Sequence, residues 1–260
     1  CYDAAYSTET GTAHVLLEDV SETHTQTNAP LPPTLRDCEL AIDCLAQLHA
    51  HFWEHPQLGT EIGKLTSERE FESLAQTLRA HLTGFTDFLG DRLPAERIAI
   101  YERVLDGPMH PWRRMLKAEG LTLSHGDAHW WNFLYPRDDT DDNGDDDATH
   151  TALIFDWHLW HVDIPLKDLA FMIAFNWYPQ RRARLEQKLL RRYHAALVER
   201  GVKNFSWTDC WHDYRQAVIR ELFVPVWQWS SGMRPAVWWS NLEKIWMAFE
   251  DLRCAELLDE

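Results

Sequence analysis

The sequence predicts a mainly helical α+β protein, and three observations carry that expectation. Apolar residues recur at three- and four-residue steps through most of the chain after residue 34, which lines one face of a helix. Helix-start signals stand just ahead of several of these stretches. Between Leu121 and Trp157 the pattern changes to short apolar runs separated by loops, the mark of a small sheet interrupting the helices.

In chain order, "AHVLLEDV" (13–20) reads as a short strand running into acidic residues, and "NAPLPP" (28–33) as a proline-rich connector. Thr34 with Asp37, and Ser67 with Glu70, put a hydroxyl and a carboxylate three residues apart, where each can satisfy the other's free backbone amide. Helices are therefore expected to start near 35 and 68. In the second, Phe71, Leu74, Leu78, Leu82 and Phe85 fall on one stripe. Pro94 and Pro111 suit the first turns of two more helices, where a missing N–H costs nothing. "LTLS", "NFLY" and "TALIFDW" then give a strand and a hairpin with a long acidic tip. Helical patterns follow near 165–175, 180–200, 207–230 and 235–257, with Gly201 placed to end the second of these.

At 260 residues and 45% hydrophobic content the chain can bury a substantial core. A formal charge of −16 argues against a nucleic-acid partner, since phosphates are gripped by basic surface. Small cationic molecules are the better electrostatic match. No run approaches the roughly 18 apolar residues of a membrane span and no signal peptide stands at the N-terminus, so a cytoplasmic protein with no membrane contact is expected. The five cysteines fit reduced thiols, because Cys38 and Cys44 point to different faces of one helix. A first residue of Cys1 suggests a truncated or processed chain.

The chemistry concentrates in "LSHGDAHWWNFLY" (123–135). Phosphoryl transfer needs a carboxylate to orient and deprotonate a hydroxyl, and oxygen ligands to hold magnesium on the nucleotide phosphates. Asp127, Asn132 five residues later, and Asp156 on the next hairpin strand could supply them.

"HGDAHWWN" followed by "IFDW" resembles the catalytic loop and metal-binding aspartate of the aminoglycoside phosphotransferase and choline kinase-like family, relatives of the protein kinases. "HVLLEDV" (14–20) resembles that family's hinge, "LAQLHAHFW" (45–53) a helix of its C-terminal lobe, and "KDLAFMI" (167–173) its Asp-Leu-Ala helix start. The resemblance implies a protein-kinase-like C-terminal lobe over 21–260, with the acidic tip at 137–150, and a remnant of the N-terminal lobe with the hinge strand over 1–20. It implies ATP or GTP with Mg2+ as cofactors and transfer of the γ-phosphate to a hydroxyl of a small-molecule acceptor. Asp127 would be the catalytic base, and Asn132 and Asp156 the magnesium ligands. Asp168 and His125 would support the loop together with His129, and the backbone of Leu16, Leu17, Glu18 and Asp19 would meet the nucleotide base. Glu221 and Trp227 would lie on the acceptor side, where aromatic and acidic walls suit aminoglycoside-, choline- or amino-alcohol-like cations. No glycine-rich phosphate loop or strand lysine precedes the hinge, so the N-terminal β lobe is expected to be largely absent and this chain alone weakly active or inactive.

Two other readings compete. A zinc-dependent hydrolase would use His125, Asp127, His129, His158 and His161 as ligands. A non-catalytic kinase-like module would capture a small ligand without transfer. Asp139, Asp141, Asn143 and Gly144 match the opening of a calcium loop, but His150 stands where a bidentate glutamate is needed, so a solvated hairpin end is expected there.

Overall fold

The computed structural model describes residues 1–107, 110–117, 119–137 and 150–259, so the calcium-loop positions Asp139, Asp141, Asn143 and Gly144 lie outside the described residues. Helices dominate, joined by small antiparallel sheets, an arrangement compatible with an α+β kinase-like fold.

Helix α1 (Leu35–His51) starts on the Thr34–Asp37 capping box and buries Cys38, Ala41, Ile42, Leu45 and His49, one stripe that packs along α6 (Pro179–Glu199). Helix α2 (Glu68–Leu89) starts on the Ser67–Glu70 box and turns Phe71, Leu78, Leu82 and Phe85 inward. After α3 (Ala95–Asp106) and the short α4 (His110–Arg113), the chain enters the sheet region. Pro94 precedes α3 as its cap, and Pro111 lies inside the first turn of α4.

Strand β1 (Asp3–Tyr6) pairs with β2 (Ala13–Leu16) in an exposed hairpin. The expected strand over 13–20 thus stops at Leu16, because β1 ends its pairing there and supplies no partner for the acidic residues beyond. Strand β3 (His24–Gln26) pairs with β5 (Phe133–Pro136), and β5 with β6 (Leu153–Ile154). Strand β4 (Thr122–Ser124) pairs with β7 (His161–Asp163), matching Leu123 to Val162. These pairings bring both ends of the 125–132 loop against the 155–160 segment.

Helix α5 (Leu166–Leu169) widens into a π turn over Ala170–Phe175. Gly201 follows α6 at φ +93°, a conformation that a side chain would strain. The expected single helix over 207–230 is two, α7 (Trp207–Glu221) and α8 (Val224–Ser230). Pro225 explains the break, since it cannot donate to a continuing ladder but fits the first turn of a new helix. Helix α9 (Pro235–Asp251) ends before a short 3-10 turn over Cys254–Leu258. One hydrophobic core runs through the helices, and Tyr101 meets Phe223 and Trp246 edge-to-face within it. Among the described residues no helix is long and apolar enough to cross a membrane.

Candidate active site

The loop after β4 is fixed from beneath by one carboxylate. Asp168 on α5 is buried, and its Oδ1 accepts from Ser124 Oγ and Gly126 N, both at 2.9 Å. Its Oδ2 accepts from His125 N at 2.7 Å and from His49 Nε2 at 3.2 Å. Burial pushes this carboxyl up, but the His49 ring and the two loop amides more than reverse the effect and hold it at about 2. Behind His49, Nδ1 lies 2.7 Å from the Tyr193 hydroxyl, so α6 is part of the same support.

His125 links the loop to the hairpin. Its Nδ1 accepts from Asp127 N at 3.3 Å, which leaves Nε2–H to donate to Phe155 O at 2.9 Å. The ring also meets Trp157 edge-on. Gly126 has φ +82°, and a Cβ there would lie 2.2 Å from Leu159 O. Only glycine lets the loop backbone pass this close to the 157–161 segment.

Asn132 is buried and turns its amide nitrogen to Asp127, donating to the backbone O at 2.9 Å and reaching Oδ2 at 3.4 Å. That nitrogen is committed, so the amide oxygen is the atom left for a ligand. Phe155 N donates to Asn132 O at 3.1 Å, which sets Asp156 one residue beyond the asparagine's backbone partner, just past β6. Asp156 itself sits in the left-handed region at φ 66°, ψ 60°, an uncommon conformation for a residue with a side chain, and its Oδ1 lies 2.6 Å from His158 Nδ1. His129 Nε2 lies 3.8 Å from Asp127 Oδ2. Burial lowers the His129 pKa and outweighs Asp127 and Asp156, which both pull it up. Asp127 and Asp156 thus both act on the His129 ring, and Asn132 is bonded to Asp127.

This donor set suits a hard cation. An amide oxygen and a carboxylate are the ligands magnesium takes when nucleotide phosphates complete its shell. Zinc does not fit: among the described residues no group of three or more His, Cys, Asp or Glu is placed to hold a metal ion. Two of the histidines that reading needs have both ring nitrogens engaged elsewhere. His125 is tied to Asp127 N and Phe155 O, and His161 to Leu159 O and Asp163 Oδ2.

The remaining expected residues have surroundings of their own. Leu16, Leu17, Glu18 and Asp19 are exposed on and after β2, where Asp19 accepts from Ser21 N. Glu221 is fully buried and pairs with Lys167, while Trp227 on α8 is half exposed. Sequence reasoning missed His49, Tyr193 and the buried Asp163–Arg220 pair. The "LAQLHAHFW" stretch contained the signal for His49, a histidine on the apolar stripe of a helix.

Residues 1–204 match the model of the ecdysteroid kinase-like family. The chain belongs to that family. The ecdysteroid kinase-like family lies in the protein-kinase-like and choline kinase-like superfamily, and its members are small-molecule kinases in general, which implies ATP and a divalent metal. No curated protein matches the chain.

Proposed function

We propose that this chain transfers the γ-phosphate of ATP to a hydroxyl of a small molecule, with residues 21–260 as the helical kinase-like lobe and 1–20 carrying the hinge. The observation that supports this reading best is the Asp168 clamp, which holds Ser124, His125 and Gly126 so that Asp127 is presented beside Asn132. In this reading Asp127 orients the acceptor hydroxyl and takes its proton as the oxygen attacks phosphorus and ADP leaves. Asn132 and Asp156 would hold Mg2+, which supplies charge neutralisation on the phosphates. His125 and Asp168 keep the loop in place. The family's name makes a hydroxylated steroid one acceptor to assay, beside choline-like and aminoglycoside-like compounds.

The test is ADP release with Mg·ATP across that acceptor panel. Asp127→Asn should lower turnover by about a thousandfold while melting is unchanged, the scale of a lost general base together with lost positioning. Asp156→Ala should raise the magnesium concentration needed for half-maximal rate. Wild-type turnover in Asp127→Asn would refute the assignment.

A further inference from the structure

A cavity of about 380 Å3 lies beside the catalytic-loop turn, walled by Pro32, Trp131, Trp177 and Tyr178, with Arg181 and Lys244 among its lining residues. It is close to the candidate chemistry. The Trp131 and His129 rings are 5.7 Å apart, and His129 in turn lies 3.8 Å from the Asp127 carboxylate. The wall is also stiff, because Trp177 stacks on buried Trp130 at 4.8 Å with 6° between planes, and the Arg181 guanidinium covers Trp177 at 4.7 Å.

Its charge runs against that of the whole chain. Among the described residues no carboxylate lines the cavity, although the chain carries 41 acidic residues. Lys244 is half-buried, its hydrogen bond to Asn176 O is a long one of 3.5 Å, and burial lowers its pKa with no carboxylate opposing. Arg181 donates to Pro33 O and leaves a buried Nε without a partner. A wall of flat rings and two cations with no carboxylate among the lining residues suits a ligand that brings negative charge. An ammonium ligand would meet repulsion there.

We propose that this cavity binds a flat, apolar ring system bearing a carboxylate, with the ring against Trp131 and Tyr178 and the carboxylate on Lys244. A role for this ligand as phosphoryl acceptor, which needs a hydroxyl on the ring besides the carboxylate, rests on the phosphotransferase reading; its binding does not.

Calorimetry with three probes of similar size separates the cases: 2-naphthylacetate, 2-(2-naphthyl)ethanol and 2-(2-naphthyl)ethylammonium. The acetate should bind about tenfold more tightly than the alcohol, the scale of one charge-assisted hydrogen bond, and the ammonium most weakly. Lys244→Met should remove the acetate's advantage and leave the alcohol's affinity as it is, and Lys244→Arg should keep most of that advantage. Equal or tighter binding of the ammonium, an unchanged acetate affinity in Lys244→Met, or no binding of any probe overturns the proposal. These outcomes are read without ATP, so a failure of phosphoryl transfer leaves them intact.

Discussion

Replacing Asp168 by asparagine keeps the shape of the side chain and removes half of its accepting capacity. Each carboxylate oxygen takes two donors, Ser124 Oγ and Gly126 N on one, His125 N and His49 Nε2 on the other. Whichever oxygen becomes an NH2 group then faces two donors and accepts from neither. Hydrogen bonds to a charged group contribute about 1.5–3 kcal/mol each, so losing two costs about 3 kcal/mol at the low end. For a chain of this size that lowers melting by about 6–12 °C. The pH dependence has a definite sign. The folded carboxyl is held at about 2 against an ordinary 3.8, so its contribution is present above 3.8 and is lost as pH falls toward 2. The acid side of the stability curve should therefore be flatter in Asp168→Asn, measured by urea unfolding between about pH 2 and pH 7. A melting change under about 2 °C, less than one such bond is worth, would show that the clamp does not hold the loop.

Three further outcomes follow from the same geometry. Gly126→Ala must displace backbone at Leu159 as well as accept a positive φ, and should cost more than about 2 kcal/mol in urea unfolding; a cost near zero would mean that the close approach is absent. Burial lowers the His161 pKa, but Asp163 raises it by more, so the ring titrates above 6.5 and its stabilising effect is present below 6.5 and lost as pH rises through the folded value. A His161 titration by NMR with a midpoint below 6.5 would contradict this. Trp130→Ala removes a fully buried ring that stacks on Trp177 and should destabilise by about 3–5 kcal/mol, and a loss under about 1 kcal/mol would place the ring outside the core.

Much of the helical frame was legible because its signals are local. Thr34 with Asp37 and Ser67 with Glu70 name their own helix starts, and the apolar stripe of α2 follows from spacing alone. Pro225 was equally visible, yet the 207–230 pattern ran across it because both helices bury apolar residues on either side of the break. The candidate site was legible where residues cluster in sequence, at Asp127 and Asn132. His49 was not, because its partner Asp168 is 119 residues away and no local pattern encodes that distance. Glu221 shows a different limit: an acidic residue among tryptophans suggests a cation-binding wall, while the fold turns it inward onto Lys167, a partner 54 residues earlier that spacing alone does not reveal.

The Asp168 clamp also fixes when the loop can form. Its donors come from α1, from β4 and from the loop, and Tyr193 ties α6 to the same group, with partners 42 to 144 residues apart. The amides of His125 and Gly126 can meet solvent only when that assembly opens. Their hydrogen exchange should accordingly follow global unfolding, with the slowness of core helices, although functional loops are usually drawn from the least protected part of a protein.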